Sequence, residues 1–266
     1  MKNIYFASDF HLGVDARLSS VERERQIVRW LDQIAPDAEE LFLVGDLFDF
    51  WFEYKYVVPK GYVRLLGKLA QWRDAGIPIH VFTGNHDMWM FQYFEEELGI
   101  PVHREPVRRE WGGKQFLIGH GDGLGPGDYG YKVLKKVFRS PLAQWLFARL
   151  HPNFSFWMAR FWSRQSRKSN PEQETFLGED KEWLLQYCEA LSQNDPVDYF
   201  IFGHRHLPID FQLKNSRSRY INLGEWLRFN SYAIFNGQEL ELRFFENPNP
   251  TWYSNHRLYD PVVPVD

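Results

Sequence analysis

The sequence has little of what marks exported or membrane-spanning proteins. It contains one cysteine, Cys188, in 266 residues, so it cannot form an intramolecular disulfide and does not need an oxidising compartment. No uninterrupted apolar stretch reaches about 18 residues. The apolar run before Asp9 is too short for a signal peptide. We therefore expect a cytoplasmic protein that does not span a membrane.

Acidic residues are missing from one long segment. Residues 129–168 contain nine Lys or Arg residues and ten aromatic residues but no Asp or Glu. The whole chain has 31 basic and 35 acidic residues, so its net charge of −4 conceals +9 on this segment and −13 elsewhere. A single domain seldom separates its charges in this way, which favours a distinct element with its own partner.

The rest of the composition is that of a globular protein, with 44% apolar residues. Helical periodicity over 21–34 and 63–72 alternates with short apolar runs that end in polar, glycine-containing turns. Alternating strands and helices predict an α/β fold with a sheet between helices. The five runs read as buried strands are 4–7, 41–44, 79–82, 116–118 and 199–202.

The basic segment is predicted to be an insertion. It shows two helical stretches, interrupted by Pro141 and by His151-Pro152, and further short strands follow Tyr220. We expect one domain over 1–246 that carries a helical basic and aromatic cap at 125–185, followed by an irregular tail at 247–266.

Potential metal ligands follow each of the five strands. In an extended chain alternate residues point to the same side, so Asp9 and His11, and likewise His204 and His206, each offer two ligands. In open α/β sheets, sites form at the carboxyl ends of strands. The candidate ligands are Asp9, His11, Asp46, Asn85, His120, His204 and His206.

The chemistry of these candidate ligands limits which metal ions can bind. Carboxylate, amide and imidazole donors without thiolate suit Mn²⁺, Fe or Zn²⁺, and do not form the oxygen-only cage of Ca²⁺. Seven ligands are too many for one tetrahedral ion with an open position but suffice for two ions if one carboxylate bridges them. Asp46 is the expected bridge. The spacing from His120 to His204 is 84 residues, against 37, 39 and 35 for the three earlier gaps, which again indicates an insertion.

Together these motifs resemble the calcineurin-like metallophosphoesterase superfamily. The resemblance implies a four-layer αββα sandwich and two divalent ions, with Mn²⁺ the expected metal. It places Asp9, His11, Asp46 and His206 on one ion, with Asp46, Asn85, His120 and His204 on the other. The matching segments are Asp9-Phe-His11, Gly45-Asp46-Leu-Phe-Asp49, Gly84-Asn85-His86-Asp87, His120-Gly-Asp122 and Gly203-His204-Arg-His206.

Within the superfamily, the cap and the motif Gly45 to Trp51 look like the branch that acts in lipid A synthesis. That branch cleaves a lipid-linked nucleotide sugar, a UDP-linked diacylglucosamine, into UMP and the acylated sugar phosphate, at the cytoplasmic face of the inner membrane as a peripheral protein. Better-known proteobacterial members carry Arg at the position of His86 and Lys at that of Gln173. The implied substrate contacts are Asn85, His86, Asp128, Tyr131, Ser166, Asn170 and His204.

For catalysis we expect water activated by the two ions to attack phosphorus. His86, oriented by Asp87, is the expected proton donor or charge stabiliser. Asp49 and Asp122 either orient ligand imidazoles or cap turns. One alternative function is a nuclease or soluble-nucleotide phosphodiesterase, although the acidic body makes nucleic acid an unexpected partner. Another is a scaffold with a structural metal.

Overall fold

The structure, a computed structural model, describes residues 2–126, 129–169, 176–215 and 217–255. Within these ranges the backbone forms two six-stranded sheets and seven helices. The strands are β1 Asn3–Ala7, β2 Ala38–Val44, β3 Ile79–Phe82, β4 Val102–His103, β5 Val107–Trp111, β6 Lys114–Gly119, β7 Tyr199–Phe202, β8 Pro208–Gln212, β9 Arg219–Leu223, β10 Ser231–Phe235, β11 Leu240–Phe244 and β12 Tyr253–Ser254. The helices are α1 Ser20–Ile34, α2 Val63–Asp74, α3 Tyr93–Leu98, α4 Tyr129–Phe138, α5 Pro141–Phe147, α6 Pro152–Ser169 and α7 Trp183–Ser192.

The two sheets have parallel centres. The first sheet has the order β11-β10-β1-β2-β3-β4, and β1 to β4 run parallel. The second has the order β12-β8-β9-β7-β6-β5, and β6, β7 and β9 run parallel. Parallel neighbours bring their carboxyl ends to one edge, which is where every predicted ligand segment lies.

Because side chains alternate between the two faces of each strand, the core is divided into three layers. In β1, Tyr5 and Ala7 pack with the helices α1 and α2, whereas Ile4 and Phe6 pack between the two sheets. The outer face of the second sheet is buried against α7. Two sheets enclosed by helices on both sides give four layers, αββα, so the predicted fold class is confirmed.

The cap contains one more helix than we predicted. Pro141 and Pro152 each begin a helix, α5 and α6, where a missing backbone N–H costs nothing. The cap is attached to the body by specific contacts. The indole Nε1–H of Trp89 donates to the carbonyl of Phe138 (2.9 Å), and the Ser163 hydroxyl donates to the carboxylate of Asp49 (2.9 Å).

The predicted irregular tail contributes one short strand. Tyr253 and Ser254 form β12, which pairs parallel with Ile209 and Asp210 on the outer edge of the second sheet. An edge strand exposes unpaired backbone groups, and even two residues can satisfy some of them. None of the helices in the described part of the chain is long and apolar enough to cross a bilayer.

Candidate metal centre

Seven predicted ligands converge where the carboxyl ends of the two sheets meet. Asp9 and His11 follow β1, Asp46 follows β2 and Asn85 follows β3. From the second sheet, His120 follows β6, and His204 and His206 follow β7. Residues that are almost 200 positions apart in the chain thus share one site.

The first group of ligands consists of Asp9, His11, Asp46 and His206. Each can offer one ligand atom such that all four atoms lie within 4.8 Å of one another. The Nε2 atoms of His11 and His206 are 3.1 Å apart, and Asp9 Oδ1 lies 3.3 Å from His206 Nε2. Two imidazoles and two carboxylates with this spacing can surround one divalent cation.

The second group is joined to the first through Asp46. Asp46 Oδ2 lies 3.9 Å from His11 Nε2 in the first group and 3.4 Å from His120 Nε2 in the second. Asn85 Oδ1 is 3.3 Å from His120 Nε2 and 2.8 Å from His204 Nδ1. The Asp46 carboxylate therefore lies between the two groups, in the position of a bridging ligand.

Two features of the site fit bound cations. Asp9 Oδ1 and Asp46 Oδ2 are buried, and neither accepts a hydrogen bond from a residue within the described ranges. Buried carboxylate oxygens without donors are costly unless a cation compensates them. In addition, a Cβ on Gly84 would collide with the Asp46 carboxylate, and one on Gly203 would collide with Asp9. Glycine at these positions allows the backbone to approach the ligands closely.

The ligand pKa values shift because the charges are buried together. Burial alone would raise the pKa of Asp46, but His120, His86 and His11 hold it below its usual range. Burial lowers the pKa of His11 and of His204 to about 4, which keeps these two imidazoles neutral at pH 7. For His120, burial lowers the pKa but the Asp46 carboxylate outweighs it and raises the pKa to about 10. A metal at this position would displace that proton.

The ligand pairs are not in extended backbone, contrary to our expectation. Both strands end before them, and the φ angles are positive at Asp9 (57°), His11 (44°), His204 (68°) and His206 (53°). Asp46 has φ 52° as well. Non-glycine residues in the left-handed region are strained and gather at functional sites. Left-handed turns after each strand, and not strand alternation, bring the paired ligands together.

His86 lies beside the first metal group but is not oriented by Asp87. Its Nδ1–H donates to the carbonyl of Asp49 (3.0 Å), and its ring centroid is 4.9 Å from that of His11. Asp87 instead accepts backbone N–H groups of Asp46, Leu47, Phe48 and Gly84 at 2.7–3.3 Å. The orienting contact thus belongs to Asp49, which corrects our expectation, and Asp87 fixes the loop that carries Asp46.

Asp49 and Asp122 connect the site to the cap. Asp49 Oδ1 lies 3.9 Å from His11 Nδ1 and 3.7 Å from His86 Nδ1, while Ser163 of α6 donates to the same carboxylate. The Asp122 carboxylate accepts the Tyr131 hydroxyl (2.6 Å) and pairs with Lys135 Nζ (2.5 Å), both on α4. Asp122 thus anchors the cap, and its hydrogen bonds go to α4 instead of a ligand imidazole.

The structure describes only some of the predicted substrate contacts. Asn85 and His204 lie among the metal ligands, and Tyr131 has its ring centroid 6.3 Å from that of His204. Asp128, Asn170 and the side chain of Ser166 lie outside the described residues. Their role stays a prediction.

An apolar cavity opens between the cap and the metal centre. It encloses about 230 Å³, and Asn85 and His86 form its polar end. Asp49, Tyr131 and Ser163 add polar groups, and aromatic and aliphatic side chains from the body and from three cap helices form the rest of the wall: Phe50, Met88, Trp89, Leu134, Phe138, Phe147, Met158 and Ala159. The cavity can therefore hold an apolar group while a polar group of the same molecule touches the site.

Sequence reasoning missed residues that hold the ligand loops. Arg23 of α1 is fully buried and donates to the carbonyls of Phe10 (2.8 Å) and His11 (2.7 Å). Arg205, between the ligands His204 and His206, is buried against Glu182 in a two-pronged ion pair (2.8 Å each). For the Arg205–Glu182 pair, the available signal was an arginine placed directly between two candidate ligands in the sequence. Nothing in the sequence indicated that Arg23 points inward.

The two packed sheets and the paired ligand groups at their shared edge define a metal-dependent phosphohydrolase. The chain belongs to the calcineurin-like phosphoesterase family, whose model matches residues 2–208. This membership implies divalent metal ions at the site.

Individual relatives extend over almost the whole chain. A UDP-2,3-diacylglucosamine hydrolase of Porphyromonas gingivalis is 39% identical over 261 residues, covering 92% of this chain and 98% of its own. Another protein of that name, from Aeromonas salmonicida, is 28% identical and covers 92% and 95%. A dimetal phosphatase structure from Danio rerio is 11% identical with a TM-score of 0.49, covering 91% of this chain and 95% of its own.

Proposed function

We propose that the protein hydrolyses UDP-2,3-diacylglucosamine to 2,3-diacylglucosamine 1-phosphate and UMP, the reaction of lipid A synthesis indicated by the names of its relatives. The apolar cavity that ends at Asn85 and His86 is the observation that carries this proposal. A hydrolase of small phosphoesters has no use for such a wall of aromatic and aliphatic side chains. A diacyl sugar buries its chains there at roughly 0.8 kcal/mol per CH₂ group.

Two groups of residues would hold the cations. Asp9, His11, Asp46 and His206 would bind one and Asp46, Asn85, His120 and His204 the other, with Mn²⁺ the proposed metal for these mixed nitrogen and oxygen donors. Bound divalent cations supply a water molecule of lowered pKa and neutralise charge on the phosphoryl oxygens. Hydrolysis would add the elements of water across the pyrophosphate linkage: one phosphorus gains a hydroxyl oxygen, its P–O bond to the bridging oxygen breaks, and the proton goes to the leaving phosphate.

The protein's own groups orient the substrate and manage protons. The Asp49 carbonyl fixes His86 Nδ1–H, so that Nε2 is free to exchange a proton with the leaving phosphate oxygen. The Asn85 amide and the neighbouring His204 would contact the phosphoryl group. Apolar cavity walls exclude bulk water from this side of the site, which strengthens its electrostatic interactions.

The cap surface supports attachment to a membrane. Leu142, Trp145, Phe154, Trp157 and Phe161 are exposed, and Trp157 is 63% exposed. Aromatic side chains beside basic residues favour the interface of an anionic bilayer. We therefore propose that the protein lies in the cytoplasm, peripherally on the inner membrane, where an acylated substrate is available.

Turnover of the diacyl substrate tests the proposal. With Mn²⁺, UDP-2,3-diacylglucosamine should be hydrolysed much faster than UDP-glucosamine, which has no acyl chains. The variant Ala159→Phe, which fills the cavity, should slow the diacyl substrate and leave bis(p-nitrophenyl) phosphate hydrolysis unchanged. Ala148→Phe, at an exposed alanine directly after α5 that does not line the cavity, is the matched control. Equal rates on the acylated and deacylated substrates would refute the lipid assignment.

A further inference from the structure

Helix α4 divides the space beneath the cap into two parts. Leu134 and Phe138 line the apolar cavity, whereas Lys135 and Arg139 line a separate polar cleft. Residues four apart lie on one face of a helix, so these two pairs form neighbouring stripes along α4. Met88 lines both spaces.

The polar cleft has the size and the donors of a ligand site. It encloses about 280 Å³ between the segment after β3, the segment after β4 and the cap helices α4 and α5. A separate small cavity of about 20 Å³ shares Thr83, Arg104 and Lys135 with the cleft and is also lined by His120 of the metal centre. The residues that matter for recognition are Thr83, Phe91, Arg104, Lys135, Arg139 and Gln144.

The charges of the cleft suit an anion. Three cationic side chains face two carboxylates, of which Asp122 pairs with Lys135 and Glu105 with Arg139 (2.6 Å). Glu105 is 69% exposed, so its pairing with Arg139 is a weak surface contact that a phosphate can replace. Arg139 Nη2 also donates to the carbonyl of Arg104 (2.9 Å), so once Glu105 is displaced Nη1 can donate to a ribose or base oxygen.

We propose that this cleft binds the nucleotide half of the substrate and that UMP leaves through it, an inference that rests on the proposed function. The pyrophosphate lies in the middle of that substrate, so its two ends must leave the metal centre in different directions. The acyl chains occupy the apolar cavity on the His86 side. The uridine enters the cleft on the His120 side, where the Phe91 ring offers a stacking surface and Gln144 a hydrogen-bonding amide.

Binding of UMP tests the cleft without requiring the lipid substrate. UMP affinity is measured by isothermal titration calorimetry and as inhibition of bis(p-nitrophenyl) phosphate hydrolysis. We expect Arg139→Ala and Phe91→Ala each to weaken UMP at least tenfold, and Gln144→Ala to weaken it severalfold. Inhibition by inorganic phosphate should change less than twofold. Arg149→Ala is the matched control, since Arg149 is a cap arginine that stacks on Trp145 (4.7 Å).

The outcomes separate the cleft from the proposed reaction. UMP affinity that is equal in the wild type and in all three cleft variants overturns the inference, even if the diacyl substrate is turned over. Cleft-dependent UMP binding without turnover of the diacyl substrate supports the cleft and refutes the proposed function. An equal loss of UMP affinity in Arg149→Ala also overturns the inference, because it would reflect the general charge of the cap.

Discussion

Removing the Glu182 carboxylate should destabilise the protein far more than removing a surface carboxylate. Glu182 precedes α7, where its side chain is fully buried and holds Arg205 through two hydrogen bonds of 2.8 Å. It also accepts the backbone N–H of Leu177 (3.0 Å). Arg205 stacks on Trp183 at 4.7 Å. The pair thus joins the start of α7 to the loop that carries His204 and His206.

The expected magnitude follows from burial. In Glu182→Ala the guanidinium of Arg205 stays buried without its carboxylate, and breaking a buried pair in this way costs about 3–5 kcal/mol. The exposed pair Arg29–Glu246 (2.6 Å) is the internal reference, because truncating a surface pair costs at most about 1 kcal/mol. The double variant Glu182→Ala/Arg205→Ala leaves no lone charge and should lose less than the two single variants together.

Two measurements check this reasoning. Urea unfolding of the metal-free protein gives the free energy of unfolding of each variant and of Glu246→Ala, the surface reference. Calorimetric titration with Mn²⁺ gives metal affinity, which should fall in Glu182→Ala because the ligand loop loses its anchor. A loss below about 1 kcal/mol in Glu182→Ala, or strictly additive losses in the double variant, would refute the argument.

Other predictions concern the metal centre and its supports. Gly84→Ala should lose most of its Mn²⁺ affinity, because the new Cβ collides with the Asp46 carboxylate; metal content after dialysis measures this. The Asp46 carboxylate outweighs burial and raises the pKa of His120 to about 10, so Mn²⁺ binding at pH 7 should release at least one proton. The affinity for Mn²⁺ should therefore increase as the pH rises from 7 towards 10. Titrations in buffers of different ionisation enthalpy count the protons. Arg23→Met should lower the free energy of unfolding by about 1.5–3 kcal/mol for each charged hydrogen bond lost to the carbonyls of Phe10 and His11, as measured by urea unfolding.

Each of these predictions has a contrary result. Full Mn²⁺ occupancy in Gly84→Ala would mean that the backbone shifts to accept a side chain. A titration enthalpy independent of the buffer would mean that no proton leaves. Arg25→Met is the control for Arg23→Met, since Arg25 is an exposed residue on the same helix, and equal losses in the two variants would contradict the role of the buried guanidinium.

Local sequence patterns were sufficient to predict the features that depend on neighbouring residues. Apolar runs of about four residues predicted buried strands that end in polar turns, and the structure has a strand at each of the five runs. Carboxylate, amide and imidazole groups at those ends marked the ligand set, because metal chemistry limits which side chains can serve. The missing acids between 129 and 168 marked the cap, because a uniform surface does not segregate charge.

Contacts between distant segments required the tertiary structure. The sequence places His86 next to Asp87, yet backbone direction gives its orienting contact to Asp49, 37 positions away. Likewise the sequence pairs His204 with His206 by position, but left-handed turns bring the His206 ring to Asp9 (3.3 Å) and the His204 ring to Asn85 (2.8 Å).

The sequence by itself determined the family, the candidate ligands and the existence of a basic, aromatic segment, because these depend on residue identity and spacing. Only the tertiary structure decided what surrounds the ligands. The orientation of α4 places Leu134 and Phe138 on an apolar cavity and their neighbours Lys135 and Arg139 on a polar cleft. This division of α4 side chains between the cavity and the cleft depends on how the helix is rotated against the body. That rotation is set by packing over many residues and not by any local pattern.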